Sequence, residues 1–386
     1  MLPTRVVNSE SARARYGTLA DRLFEALAHM DPLADEAIAS LTSRDWIERG
    51  CAQEDLSGAP APLRRFFSEA SKVPTWVDRE RVDRAGRILF RSSIAGGMTL
   101  GAKSLIAGYC SPGGNKPLVF SGQLQGQVQR RLAETGKFVV ATCTEGALWP
   151  GNEGWAITLR VRLMHAQVRR LILASDRWNE RAWGAPINQH DMVATALLFS
   201  IVFLDGIRDF GVPVSRQEAD DFLHLWRYSS WLMGVEESLL PRDEPEARNL
   251  ADVIALTQGD PDDDARALTS ALLESPRGTL QNRTGRLAEW QIALGQGVCR
   301  GLLGEELADA LHLPRTRWRH IVPAARRVAA LMRMVGGPRP DAYERFGHRY
   351  WERNVRLGLG GAPAAFALPG SLAGRFLTRR RAELRA

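Results

Sequence analysis

Apolar residues recur at three- and four-residue spacing along most of this chain, the period of helices that pack by one face. Leu19, Leu23, Leu27 and Met30 mark a helix over 17–30, and the rhythm continues over 34–49 and 61–72. Asp78 and Glu80 put acids in the first turn of a helix that ends near Leu89 and Phe90, where they complement the helix dipole. Further helices are predicted over 121–140 and 155–175. In the second of these, residues 157–163 also alternate as a strand does, but the continuation through Val161, Met164, Val168 and Leu171 decides for helix. Asn188 is placed to cap a helix running to Leu204, and Ser215 with Glu218 has the capping-box pattern. Two stretches break the rhythm. Residues 94–126 are rich in Gly and other small residues and contain the turn SPGGNKP at 111–117, which permits close backbone approach. Residues 241–275 are acidic and polar, contain PDDD, and predict a surface loop. Helices resume over 283–311 and 314–335, and from Gly336 the tail is punctuated by Pro and Gly. With no sheet pattern and no internal repeat, the expected fold is all-α.

Charge changes this picture in one place. The net charge is +7, yet from Arg315 onward there are sixteen Arg and four acidic residues, so the rest of the chain is net acidic. Such a basic end fits nucleic acid, a membrane surface, or the acidic body of the same protein. The last reading has it closing over the core and neutralising 236–275. With 47 Arg against four Lys, the bias looks genomic, so each arginine is not read as a binding site. Cys51, Cys110, Cys143 and Cys299 are far apart and lack a C-x-x-C, which argues against a zinc ribbon and c-type haem attachment and suits a reducing compartment. The first residues lack the apolar core of a secretory signal, and Val193–Leu204 is too short to span a bilayer. A cytoplasmic location is the expectation.

The chemistry gathers on ITLRVRLMHAQVRRL (157–171). Thr158, Arg162, His165 and Arg169 form a helical stripe beside the apolar one, about 100° away. Both stripes cannot face water, so His165 lies at or inside a buried face. Two neighbouring arginines disfavour imidazolium and leave a lone pair free. Two buried guanidiniums also need an anion, and haem meets both needs through its iron and its propionates. The alternative is a half-exposed histidine with both arginines in solvent. One helix earlier, Arg131 and Thr135 share a face with Glu134 beside them, which on spacing alone also fits a solvated charged helix. Di-iron, zinc-protease, dinucleotide, phosphate-loop and nucleophile-elbow motifs are all absent.

The ordered set R-L-A-E-T (131–135), L-R-V-R-L-M-H-A-x-V-R (159–169), P-I-N-Q-x-D (186–191), F-S (199–200) and H-x-W-R (224–227) resembles the latex-clearing protein family. The larger family also includes the oxygenase of mycophenolic acid biosynthesis. The likeness runs over roughly residues 85–300. It implies an all-α protein with a globin-like core and b-type haem. It implies His165 as the iron ligand, Arg131 and Thr135 in the haem pocket, and Arg162 and Arg169 beside the ligand helix. It also implies dioxygen chemistry on a carbon–carbon double bond of a prenyl or polyisoprene chain. This sequence departs from the rubber-cleaving pattern in three ways. Glu134 stands where those members carry a lysine, Asn115 lies near the place of a proposed catalytic acid, and no export signal is seen. These departures point away from rubber itself. In an apolar pocket Glu134 is expected to hold a raised pKa and deliver protons, unless it pairs with Arg130 or Arg131.

The expected organisation is a helical extension over 1–84, a globin-like haem-binding core over 85–300 and a basic helical extension over 301–386. The expected function is a haem b-dependent oxygenase acting with dioxygen on a small apolar, unsaturated or prenylated molecule. Its pocket is expected from 94–105, 194–203 and 226–233. Two rivals are a haem gas sensor or carrier without turnover, and a non-haem helical protein that binds nucleic acid.

Overall fold

Several helices begin where a side chain takes up a free amide of the first turn, as the computed structural model shows. It describes residues 2–120, 128–276, 285–334, 340–364 and 366–372. Asp31 accepts from Ala34 N–H and opens α1 (Pro32–Ala39). Asp78 caps Arg79–Ala85, Asn188 caps α5 (Gln189–Phe199), and Ser215 with Glu218 closes a complete capping box on α7 (Arg216–Leu232). Each such cap stabilises by about 1 kcal/mol. No strand occurs among the described residues beyond one isolated bridge between Val6 and Gln258, so the all-α expectation holds.

Two expectations about elements are corrected. The stretch 34–49 is two helices, α1 and Asp45–Cys51, not one. The acidic stretch 241–275 is not a loop: it holds α8 (Glu244–Thr257) and α9 (Asp263–Leu273). Most of its acids are the N-caps Asp243 and Asp262 and first-turn residues, so the composition that reads as solvated loop is helix-start chemistry. Within the predicted helical extension, the Pro- and Gly-marked tail contains α12 (Pro340–Gly358), nineteen residues long. The predicted helix over 121–140 is α3 (Val128–Cys143), and 121–127 lies outside the described residues.

Buried side chains from the N-terminal helices, Leu23, Leu63 and Phe66 among them, share one cluster with Leu159 and Leu163 of α4 (Glu153–Leu173), Phe222 of α7 and Trp351 of α12. A second cluster joins Ile106 and Tyr109 to Leu268 of α9 and Cys299 of α10 (Gly285–Leu303). Between the two runs α2 (Arg87–Thr99), kinked at Ser93, whose φ of 42° lies in the left-handed region. The hydroxyls of Ser92 and Ser93 donate to the carbonyls of Leu89 and Phe90 at 2.8 and 2.9 Å. A π-helical turn at Leu100–Ser104 continues the chain to Tyr109. The close approach expected of the glycine-rich stretch is made by α12: a Cβ on Gly97 would lie 2.4 Å from the Tyr350 hydroxyl.

The stretch Gln189–Asp209, which holds α5 and α6 (Ile201–Asp209), is long and apolar enough to cross a membrane, and half of it is buried inside the protein. Among the described residues the acidic segment finds its counter-charges close by. Glu244 takes Arg208 at 2.8 Å, Arg242 pairs with Glu246, and Asp262 and Asp264 take Lys116 at 2.5 Å each.

Candidate functional site

Helix α4 crosses the core against α1, α3 and α7, and this decides which of its two stripes is buried. The predicted apolar stripe is the less enclosed: Val161, Met164, Val168 and Leu171 keep partial exposure. The polar stripe is the deeper one. Thr158 is fully buried, and Arg162 and Arg169 are 8% and 2% exposed.

Arg162 and Arg169 meet carboxylates of the chain itself. Arg162 Nε and Nη2 donate to Asp31 Oδ2 and Oδ1 at 2.7 and 2.9 Å, and Nη1 donates to the Leu232 carbonyl at 3.2 Å. Its guanidinium also lies 5.3 Å from the Phe66 ring centroid. Arg169 Nε donates to Asp35 Oδ1 at 2.8 Å. The expectation that both arginines wait for a ligand's carboxylates is therefore corrected: Asp31 and Asp35, one turn apart on α1, supply the anions. Gly234, at φ +92°, lies over the first pair, where a Cβ would sit 2.4 Å from Asp31 Oδ2. Gln189 fastens the same corner, donating to the carbonyls of Met30 and Gly234 at 2.9 Å each and accepting from Glu236 N–H at 2.8 Å. Burial lifts the Asp35 carboxyl above its ordinary range even against the pull of Arg169.

His165 lies between these two pairs. Burial pulls its pKa down to about 4, the Arg169 cation adds to the shift, and Asp31 opposes it. The ring is thus neutral near pH 7 and has a lone pair to offer. Its Nδ1 is buried with no hydrogen-bond partner, while part of the residue stays accessible. A buried ring nitrogen without a partner is uncommon, and each such atom asks for an explanation.

On α3, Arg131 is half-buried, and it makes no ion pair or hydrogen bond. Desolvation depresses its pKa, opposed by Tyr109 and Glu134. Thr135 shares its helical face with Arg131, Phe138 and Thr142; the last two are buried, yet Thr135 is exposed. The face therefore opens at this point. Glu134 does not stand alone in an apolar pocket, because its carboxylate accepts from Arg130 Nε at 3.1 Å. The single-turn spacing that makes it a neighbour of the pocket also puts it within reach of Arg130. Asn115 is buried and ties its loop to α9, donating to the Tyr109 carbonyl at 3.1 Å and to Asp262 at 3.0 Å.

Two further histidines are buried, and both are tied to the chain itself. His224 Nε2 accepts from Asp78 N–H at 2.9 Å, and burial brings its pKa to about 4. His190 pairs with Asp191, itself held by Arg5 at 2.9 Å. Among the described residues no three His, Cys, Asp or Glu side chains gather to hold a bare metal ion. Asp31, Asp35 and Tyr109 escaped the sequence reading, and Gln189 entered it only as part of the P-I-N-Q-x-D motif. The only signal for the first two is D-P-L-A-D at 31–35, a helix start that repeats an acid after four residues.

Known proteins resemble this chain in sequence and in fold. Part of the chain is 25% identical over 186 residues to the rubber oxygenase of Streptomyces sp. (strain K30), covering 48% of this chain and 46% of that protein. The chain thus spans about half the length of this curated relative. The fold matches that of latex clearing protein in its closed state, with a TM-score of 0.70 at 22% identity over 89% of this chain and 95% of the other. Residues 81–337, which run from before α2 past α11 (Ile321–Met334) and include Arg131 and His165, match the family described as "ER-bound oxygenase mpaB/B'/Rubber oxygenase, catalytic domain", and the chain belongs to that family.

Proposed function

We propose that this protein is a haem b-dependent oxygenase that uses dioxygen on a small apolar molecule, unsaturated or prenylated. One observation carries the reading: a neutral histidine whose buried Nδ1 has no partner, on a helix packed against the one that bears a half-buried arginine without an anion. A macrocycle with a metal centre and carboxylate arms fits that donor set. His165 would hold the iron. Arg131 would take a carboxylate, and Thr135 would offer its hydroxyl on the same face. When bound, haem supplies an iron that binds and activates dioxygen.

The other residues have positioning roles. The Asp31–Arg162 and Asp35–Arg169 pairs brace α4 and hold His165 in place, while burial and the Arg169 cation keep it neutral. Phe138, Phe199 and Trp226 form an aromatic cluster with centroids 5.0–6.1 Å apart, an apolar wall suited to a hydrocarbon substrate and to excluding water. Four free, buried cysteines support action inside the cell. We take residues 85–300 as the part that carries the site. A gas carrier or sensor is the second reading. It is favoured by the Glu134–Arg130 pair, which occupies the acid otherwise available for proton delivery.

The test is the visible absorption spectrum of the purified protein, its His165→Ala variant and its Arg131→Met variant, before and after reduction and carbon monoxide. A Soret band that is lost or shifted in His165→Ala, with haem affinity lowered about tenfold or more in Arg131→Met, supports the reading. No band after haem is supplied would overturn it. Product formed from an isoprenoid alkene under dioxygen separates oxygenase from carrier.

A further inference from the structure

The exposed large apolar side chains are not scattered. Twelve occur among the described residues, and seven lie within the thirty residues from Val328 to Leu357. On α11, Val328, Leu331 and Met332 follow one another at helical spacing and are exposed, as is Met334 at 83%. On α12, Tyr343, Phe346 and Leu357 are exposed along one flank. Isolated exposed hydrophobes need no explanation, but a run of this kind marks an interaction surface.

Helix α11 is already docked by a different face. Val322 is buried, Ala325 and Ala329 are half-buried, and Arg333 Nη1 donates to the Gly211 carbonyl at 2.6 Å. The Val328–Leu331–Met332 stripe lies roughly 100° round the helix from that contact. It is directed away from the core.

Charge identifies what this surface fits. Between Ile321 and Gly358 there are eight arginines and three acids. Arg326, Arg327, Arg345, Arg349, Arg353 and Arg356 are all exposed, and none has an ion-pair partner. Elsewhere in the chain arginines are routinely paired, as Arg208, Arg242 and Arg248 are. A groove of about 470 Å³ lies along α12, lined by Ser93, Ile94, Val212, Tyr343 and Phe346. Val212 follows Gly211, against which α11 packs.

We infer that α11 and α12 form a docking surface for an anionic lipid bilayer. The apolar side chains enter the boundary between headgroups and acyl chains, and the unpaired arginines meet lipid phosphates. A second copy of the chain is a poorer occupant, because a symmetric contact would set unpaired arginines against their own copies. The groove then opens beside the phase in which apolar molecules dissolve. The inference stands independently of haem and of oxygen chemistry.

The test uses the purified full chain and vesicles of phosphatidylcholine, with and without phosphatidylglycerol, in co-sedimentation at low and high salt. Binding is expected on the anionic vesicles and is expected to weaken as salt rises. Arg327→Gln with Arg349→Gln should weaken it about thirtyfold, at about fivefold per arginine. Leu331→Asp with Met332→Asp should weaken it more than tenfold. The thermal midpoint should not move in either variant, since all four side chains are exposed. Absence of binding to anionic vesicles overturns the inference, and so does binding that neither pair of substitutions changes. A dimer that Leu331→Asp with Met332→Asp splits, in a protein without lipid affinity, assigns the surface to a second copy and overturns it as well.

Discussion

Asp31→Asn is the substitution that asks most directly what the arginines beside His165 are for. Asp31 and Arg162 are 6% and 8% exposed and share two hydrogen bonds of 2.7 and 2.9 Å. Asparagine keeps the side-chain shape and the oxygen that accepts from Ala34 N–H, so the cap of α1 survives. It leaves Arg162 charged and buried, holding only that oxygen through Nη2 and the Leu232 carbonyl through Nη1, with its Nε set against the new amide N–H and no anion beside it. Removing one partner of a buried pair costs about 3–5 kcal/mol. For 386 residues, an unfolding entropy of about 2.1 cal/mol/K per residue comes to about 0.8 kcal/mol/K, so a loss of about 4 kcal/mol lowers the thermal midpoint by about 5 °C. Arg162→Met alone strands the aspartate and should cost as much. The double variant removes both charges, keeps an apolar side chain against Phe66, and should return to within about 1 kcal/mol of the parent. Scanning calorimetry measures the midpoints, and the Soret band measures the cofactor in the same samples. If the double variant is no more stable than either single one, the pair is not the coupled unit described here. If it folds normally but loses haem, Arg162 holds the cofactor itself, and its assignment as a brace is refuted.

Two further outcomes are expected. His165 and His224 both have folded pKa values near 4, below the ordinary 6.5. The unfolded chain therefore takes up protons first, and stability falls as pH drops from about 6.5 to about 4 by up to roughly 3 kcal/mol per histidine. Urea midpoints across that window measure the loss; His224→Gln should remove about half of it, and an unchanged slope would count against the assignment. Gly347→Ala should destabilise despite alanine's better helix propensity of about 1 kcal/mol. The new Cβ would lie 1.7 Å from the Phe90 carbonyl oxygen, a clash that α2 and α12 relieve only by separating. Limited proteolysis should then release α12 first, and undiminished protection would sink this account of the crossing.

What the sequence determined by itself was local. The 3.6-residue period announced an all-α chain, and Asp78, Asn188 and Ser215 with Glu218 marked helix starts that the structure repeats. These signals are legible because cap and first turn lie within four residues of each other. The same local reading failed at 241–275, where acids that cap helices have the composition of a loop. The partners of Arg162 and Arg169 were out of reach for a different reason. Asp31 is 131 residues from Arg162 and Asp35 is 134 from Arg169, and only the packing of α1 on α4 brings them together. Periodicity placed a histidine and two arginines on one stripe. It could not say whether a ligand or the chain itself supplies the opposing charge, because that depends on which helix covers the stripe. Tertiary structure likewise settled that Glu134 pairs with Arg130, that Arg131 is left without a partner, and that α11 and α12 dock while leaving an apolar, arginine-flanked face in solvent. The first of these lies within one helical turn and was one of the sequence's own alternatives; the others turn on long-range packing, which no window of adjacent residues contains.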